Sequence, residues 1–156
     1  MLEIEIPGFG PVKLEYLVSD YTGTLSADGK LLPGVREQMQ AIAGFMKIHI
    51  LTADTFGLAV AELQGIPCEI RILNGDDHDI QKEAYVRKLN PEMVMALGNG
   101  INDRRMIKAA RVGVAVSQQE GCAVEALLAA DVLVTGAQAG LDLLLHPKRL
   151  KATLRF

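Results

Sequence analysis

Short apolar segments that alternate with helical patterns are the feature that most constrains the fold of this chain. The segments IHIL, CEIRIL, MVMAL, VGVAV and DVLV are rich in β-branched residues and are bounded by Gly, Asn, Asp or Thr, as is typical of buried parallel strands. Apolar residues at spacings of three and four predict helices over 34–45, 56–64, 78–89, 104–110, 121–130 and 139–145. This alternation predicts an α/β fold with a three-layer, open, mostly parallel, Rossmann-like sheet and helices on both faces.

The N-terminal residues follow a different pattern. LEIEI and VKLEYLV alternate apolar and polar residues around PGFGP, which predicts a β-hairpin over 1–16 whose second strand runs on into Ser19 and Asp20. A second, smaller hairpin is expected as a flap over 25–33, because Asp28-Gly29 is a favourable two-residue turn. The length of 156 residues fits one domain, residues 1–156.

Composition and charge exclude several classes of function. A formal net charge of -3 and the absence of Trp argue against a general nucleic-acid binder. The apolar stretches, such as Ala123 to Ala130, are far shorter than the roughly 20 residues that span a bilayer. The N-terminus alternates acidic and apolar residues and does not resemble a signal peptide, so a cytoplasmic location is expected.

Ligands bind such sheets at the carboxyl ends of the strands, so polar residues directly after the predicted strands are the candidates for chemistry. Four places fit this rule: the run from Ser19 to Leu25, the run from Thr52 to Asp54, Lys82 at the start of a helix, and residues 98–103. A carboxylate followed by a Gly-containing turn provides a nucleophile and a phosphate cradle. A hydroxyl and an ammonium from neighbouring strands can bind the phosphoryl oxygens, and an acidic loop can bind Mg²⁺. Together these groups predict phosphoryl transfer.

The motifs at these places resemble those of a known family. DYTGTL, ILTAD, KEAYVRKL and MALGNGINDRRMIKAARVGVAV occur in the order found in the haloacid-dehalogenase (HAD) superfamily. Within that superfamily they look most like the phosphorylation domain of P-type ATPases. The resemblance extends from about Leu17 to Thr135 and implies a HAD-like hydrolase that uses Mg²⁺.

The resemblance also implies a set of site residues. Asp20 is expected to be the nucleophile that forms an aspartyl phosphate, and Thr52 and Lys82 are expected to bind the phosphoryl group. The complete expected set is catalytic Asp20, Thr22, Thr52 and Lys82; phosphate-binding Tyr21, Gly23, Thr24, Ala53, Asn102 and Arg104; and metal-binding Asp20, Thr22, Asn99 and Asp103. Gly98 and Gly100 are expected to permit the tight turn that aims Asp103 at the site.

The spacing of the motifs leaves no room for a large cap domain. Only short segments separate Asp20 from Thr52 and Thr52 from Lys82, where relatives insert cap or nucleotide-binding domains. The chain therefore resembles a capless member with an open site. A small phosphorylated substrate is expected, and two ways of covering the open site stay open: a homo-oligomer or a large substrate.

Two positions depart from the family pattern. Thr22 stands where phosphatases of the family carry an acid/base Asp, so hydrolysis of the aspartyl phosphate is expected to be slow, since such catalysis contributes about 10²–10⁴ in rate. Asn99 replaces a usual Asp, which weakens metal binding. Three functions therefore stay open: a slow phosphatase acting on a phosphomonoester, acyl phosphate or nucleotide; a phosphoryl-accepting or metal-binding regulatory module; and a soluble ATPase.

Several other residues have two interpretations. Arg104 and Arg105 either reach an anionic substrate or form a solvated helix face. Asp54 is expected to cap the next helix, and His49 and His78 are expected to have structural roles because neither has a partner at metal-ligand spacing. The two cysteines, Cys68 and Cys122, are expected to be reduced, and the basic C-terminal cluster Lys148, Arg149, Lys151 and Arg155 is expected to be a solvated tail.

Overall fold

A computed structural model describes residues 1–55 and 57–156 of the chain. Phe56, the first residue of the helix predicted over 56–64, lies outside the described residues. The strands are β1 Leu2–Ile6, β2 Gly10–Leu14, β3 Tyr16–Asp20, β4 Ser26–Ala27, β5 Lys30–Leu31, β6 Lys47–Thr52, β7 Glu69–Ile72, β8 Val94–Gly98, β9 Val112–Val116 and β10 Val132–Val134. The helices are α1 Val35–Ala43, α2 Leu58–Glu62, α3 His78–Lys88, α4 Arg104–Ala109, α5 Val124–Ala129, α6 Ala137–Leu145 and α7 Pro147–Leu154, with 3-10 turns at Pro91–Met93 and Ile101–Asp103.

Six of the strands form one parallel sheet in the order β10-β9-β8-β3-β6-β7. Helices cover both of its faces. On one face the core contains Met39 of α1 and Leu141 of α6, and on the other it contains Val86 of α3 and Ile107 of α4. The three-layer α/β fold predicted from the alternating pattern is therefore confirmed.

The N-terminal hairpin forms a separate two-stranded sheet. Strands β1 and β2 pair antiparallel from Leu2↔Leu14 to Ile6↔Gly10. After Glu15 the chain enters the central sheet as β3, which pairs with β6 and β8. The prediction of one strand running on into Asp20 is wrong, because β2 ends at Leu14 and β3 belongs to a different sheet.

The basic C-terminal segment is a helix and not the predicted tail, although Lys148, Arg149 and Arg155 are exposed to solvent as predicted. Leu150 is fully buried in α7, and Leu154, four residues later on the same helix face, packs against the same core. Pro147 starts this helix at a position where its missing N–H has no consequence. Two leucines at a spacing of four were the signal for this helix, among charges that are also typical of a solvated segment.

A short hairpin follows the central strand β3. Strands β4 and β5 pair antiparallel, and Asp28 and Gly29 connect them with φ angles of 52° and 82°. These positive φ values are those of a type I′ turn, which suits Asp and Gly. The hairpin contacts the loop after β3, because the Tyr21 hydroxyl donates to the carbonyl of Gly29 at 2.8 Å.

The sheet order determines where side chains can meet. β8, β3, β6 and β7 are consecutive neighbours, so the loops after their carboxyl ends emerge side by side. Within the described ranges, no helix is long and apolar enough to cross a membrane.

Candidate active site

Asp20 lies at the end of the central strand β3, where it is 7% exposed. One carboxylate oxygen, Oδ1, accepts from Lys82 Nζ at 2.8 Å, and Oδ2 lies 3.1 Å from the Thr24 hydroxyl. Burial, together with repulsion from Asp103, raises the pKa of Asp20 to about 6 although Lys82 acts in the opposite direction. The ionised form of Asp20 is therefore less stable, relative to its protonated form, in the folded protein than in water.

Lys82 reaches this carboxylate from the helix α3, which follows the edge strand β7. Its ammonium group is buried between two acids, 2.8 Å from Asp20 Oδ1 and 2.6 Å from Asp103 Oδ1. Burial acts to lower the pKa of Lys82, but the two carboxylates outweigh burial and raise it above its ordinary value. Lys82 thus stays cationic next to the proposed nucleophile.

Asp103 is enclosed in the loop between β8 and α4 and has no exposed surface. Its Oδ2 accepts from the backbone amides of Asn99 and Gly100 at 3.0 and 2.8 Å, while Oδ1 accepts from Lys82. A Cβ added to Gly98 would lie 2.6 Å from Cγ of Asp103, so this close approach requires glycine. Both oxygens of Asp103 thus accept hydrogen bonds, from Lys82 and from amides of its own loop, and the binding of a metal by Asp103 stays a prediction.

Thr24 connects the first motif to the fourth. Its fully buried hydroxyl lies 3.1 Å from Asp20 Oδ2 and 3.0 Å from Asn99 Oδ1, and its single hydrogen can be donated to one of them at a time. Gly23 approaches Asn99 so closely, at φ 76°, that a Cβ would lie 2.6 Å from Asn99 Nδ2. Gly23 and Thr24 therefore pack beneath the site, and their contact with phosphate stays a prediction.

A cavity of about 480 Å³ opens in front of Asp20. Its wall contains eight of the residues expected from the sequence: Asp20, Tyr21, Thr22, Thr52, Ala53, Lys82, Asn99 and Asn102. Four separate loops thus meet at one end of the sheet, as predicted from the positions of the motifs. The remaining wall residues are Gly29, Asp54, Thr55, Leu58, Leu73, His78 and Gly100.

Arg104 lies elsewhere, in a shallow surface depression with Arg105 and Leu128. Its guanidinium group pairs with Asp79 and Glu125, at 3.1 Å in each case. Because these carboxylates already engage the guanidinium, the structure does not support the predicted contact of Arg104 with phosphate.

The loop after β6 presents Thr52 to the cavity. The backbone amide of Asp54 donates to the Thr52 hydroxyl at 3.2 Å, and the Asp54 carboxylate accepts from the amides of Ala59 and Val60 at 2.7 and 3.3 Å. As predicted, Asp54 caps the helix α2.

Sequence reasoning missed Gln118 and expected only a structural role for His78. Gln118 donates to the carbonyls of Gly23 and Thr24 at 3.1 and 2.7 Å and accepts from the amide of Ala137, so it fixes the loop after β3. Its place two residues after the strand VGVAV was the signal that could have identified it. His78 lines the cavity, and its Nε2 is enclosed without a hydrogen-bond partner among the described residues.

Comparisons with known proteins agree with this geometry. The model of a family described as haloacid dehalogenase-like hydrolase matches residues 78–135, which include Lys82 and the loop 98–103. An uncharacterized protein of Methanocaldococcus jannaschii is 41% identical over 71 residues, which cover 45% of this chain and 76% of that protein. The chain belongs to the haloacid dehalogenase-like hydrolases.

Solved structures of this hydrolase fold superpose on most of the chain. The 3-deoxy-D-manno-octulosonate 8-phosphate phosphatase of Moraxella catarrhalis, in complex with magnesium, phosphate and its sugar, gives a TM-score of 0.70 at 16% identity and covers 91% of this chain and 94% of its own. The cobalt-bound phosphatase of the same activity from Haemophilus influenzae gives 0.71 at 9% identity and covers 92% and 94%. At these identities the likeness shows the fold.

The cavity of this HAD-like hydrolase offers few side chains that could bind a metal ion. Among the described residues no group of three or more His, Cys, Asp and Glu side chains gathers to hold a metal ion. The cavity nevertheless contains oxygen donors from Asp20, Thr22 and Asn99. One carboxylate with neutral oxygens fits Mg²⁺, which keeps several waters and is completed by substrate phosphate. This donor set predicts weaker binding than a site with two or three carboxylates would have.

Proposed function

We propose that this hydrolase is a magnesium-dependent phosphohydrolase that acts through an aspartyl phosphate on Asp20. The observation that carries the proposal is the position of Lys82, whose ammonium lies 2.8 Å from Asp20 and 2.6 Å from Asp103 at the base of the cavity. A buried cation held beside a strand-end carboxylate is suited to neutralise a transferring phosphoryl group.

The residues of the cavity divide the chemistry among them. One oxygen of Asp20 attacks phosphorus, an oxygen–phosphorus bond to Asp20 forms, and the bond to the leaving oxygen breaks. Lys82 and the Thr52 hydroxyl bind the oxygens of the phosphoryl group, and Asp103 positions Lys82 through the 2.6 Å contact. Asp20, Thr22 and Asn99 would hold Mg²⁺, which would supply charge neutralisation at the phosphoryl oxygens.

The second half of the reaction is the slow one in this proposal. Thr22 is exposed at the mouth of the site, and a hydroxyl cannot act as the base that a carboxylate provides there. Water must therefore attack the aspartyl phosphate with little assistance. The intermediate accumulates, and turnover is limited by its hydrolysis.

The substrate is a small phosphorylated compound in this proposal. A cavity of about 480 Å³ has the size of a small-molecule site. The chain acts as a single domain over residues 1–156, with 25–33 as a flap and no large cap. A homo-oligomer that covers the open site belongs to the same proposal, and so does a cytoplasmic location.

The threonine at position 22 favours one alternative, a regulatory module that accepts a phosphoryl group and reports it to a partner. Without a base at this position a long-lived aspartyl phosphate becomes a signal. No comparable observation favours a soluble ATPase, and the similarity to P-type ATPases remains a prediction.

Labelling with radioactive acetyl phosphate and phosphomonoesters in the presence of Mg²⁺ tests the proposal. We expect acid-stable label on the protein, lability of that label to hydroxylamine, and slow release of phosphate over many turnovers. Asp20→Asn should abolish both signals, whereas the exposed control Asp76→Asn should change neither. Stoichiometric label without turnover would favour the regulatory module, and Asp20-independent hydrolysis would refute the mechanism.

A further inference from the structure

The leaving group of a phosphomonoester needs a proton, and the residue that supplies it in the family pattern is absent at Thr22. We propose that the imidazole of His78 protonates the leaving oxygen in this protein. This role rests on the proposed function, because it concerns the first step of that reaction.

The position of His78 in the fold supports this role. His78 is the first residue of α3, and Lys82 follows it by four residues, so both side chains lie on the same face of the helix. Both residues line the cavity that contains Asp20. A substrate whose phosphoryl group contacts Lys82 would therefore occupy the same cavity as the imidazole of His78.

The hydrogen bonding of His78 leaves it available. Its Nε2 is enclosed and has no partner among the residues that the structure describes. The other histidine with an enclosed Nε2, His49, uses its Nδ1 to contact the Tyr85 hydroxyl at 2.9 Å and lies in β6 outside the cavity wall. An enclosed ring nitrogen without a partner is costly, and a rotation of the ring toward a substrate oxygen removes this cost.

The other titratable side chains of the described cavity wall are committed elsewhere. Asp20 is the proposed nucleophile, and Lys82 is fixed between two carboxylates. The Tyr21 hydroxyl donates to the carbonyl of Gly29, and burial raises its pKa to about 12. Both oxygens of Asp54 accept from amides of α2. His78 remains as the group whose ring nitrogen has no partner among the described residues and whose side chain can carry and donate a proton.

The step balances without a further reactant. As the bond from Asp20 to phosphorus forms, the bond between phosphorus and the leaving oxygen breaks, and that oxygen keeps the electron pair. The oxygen takes a proton from the imidazolium of His78 and departs as an alcohol. Hydrolysis of the aspartyl phosphate by water later yields inorganic phosphate and releases one proton to solvent, and the imidazole takes up a proton from solvent before the next turnover.

The dependence of the rate on the leaving group tests the role of His78. We compare single-turnover phosphorylation of Asp20 by an alkyl phosphate, by p-nitrophenyl phosphate and by acetyl phosphate, because turnover itself reports the slow second step. In His78→Gln we expect phosphorylation by the alkyl phosphate to fall by about 10²-fold or more. Phosphorylation by the other two compounds should change less than about threefold, since their leaving groups depart without a proton.

Two comparisons separate this role from a structural one. His146→Gln, at an exposed histidine between α6 and α7, should leave all three rates unchanged. A loss of similar size for all three compounds in His78→Gln, or no loss for any, would overturn the proposal while the proposed function stands. Labelling of Asp20 by acetyl phosphate but by no ester in the unmodified protein would also overturn it. Absence of Asp20-dependent labelling by every compound would overturn the proposed function as well.

Discussion

Replacing Lys82 by Met tests whether the buried ammonium holds the site together. The side chain of Lys82 is 2% exposed, and those of its partners Asp20 and Asp103 are 11% and 0% exposed. Loss of the cation leaves two buried carboxylates beside each other without compensation. Breaking a buried ion pair in this way typically costs about 3–5 kcal/mol. For a chain of this size that is about 6–20 °C in melting temperature, at about 2–4 °C per kcal/mol.

The measurement is urea and thermal unfolding followed by circular dichroism at about pH 7.5 in EDTA. Lys88→Met, at an exposed lysine of the same helix, provides the matched control and should change stability by less than about 0.5 kcal/mol. Adding Asp20→Asn to Lys82→Met should recover most of the loss, because one of the two facing charges is then removed. A Lys82→Met cost equal to that of Lys88→Met, or no recovery in the double variant, would refute the electrostatic reasoning.

Three further results are expected. The pKa of Asp20 is about 6 in the folded protein against an ordinary 3.8, so protonation of Asp20 stabilises the folded state. This stabilisation is fully present below about pH 4 and is lost as pH rises through 6. The unfolding free energy should therefore fall by up to about 3 kcal/mol across that window in EDTA, and Asp20→Asn should flatten the fall, as measured by urea titrations at each pH. Gly98→Ala should destabilise the fold by about 1–3 kcal/mol or more, because the added Cβ would lie 2.6 Å from Cγ of Asp103; a melting temperature within about 1 °C of the parent would contradict this. Mg²⁺ at about ten times its dissociation constant should add about 1.4 kcal/mol of stability near pH 8, and less near pH 5 where Asp20 holds a proton.

Much of the fold follows from local patterns in the sequence. Alternation of buried β-branched strands with helices leaves a parallel sheet as the arrangement that buries both faces, so β6, β8 and β9 could be recognised directly. The strand β7 was also found, although its residues are largely exposed at the sheet edge. The change from the N-terminal hairpin to the central sheet at Glu15 was not predictable from the sequence. It depends on which strands pair with each other, and the periodicity of a segment does not show this.

The candidate site was also predictable from the sequence only in part. The rule that ligands meet strand ends placed Asp20, Thr52 and Asn99 around one cavity, as the structure has them. Sequence order could not show that Asp103 turns inward to Lys82 and the amides of its own loop, since this depends on the turn that Gly98 permits. Nor could it show that His78 faces the cavity, because a histidine at a helix start has no distinguishing spacing.

The two arginines that follow the loop 98–103 form ion pairs at the surface, in contrast to the buried Lys82. Arg105 contacts Asp79 at 3.0 Å and Glu83 at 3.3 Å, and Arg104 contacts Asp79 at 3.1 Å, so both connect α4 to the helix that carries Lys82. These pairs lie at the surface, where an ion pair contributes about 0.2–1 kcal/mol. Removal of one partner from a buried pair costs about 3–5 kcal/mol, because it leaves an uncompensated charge. Loss of a surface arginine should therefore change stability little, whereas loss of the Lys82 ammonium leaves Asp20 and Asp103 buried without a cation between α3 and the central strand.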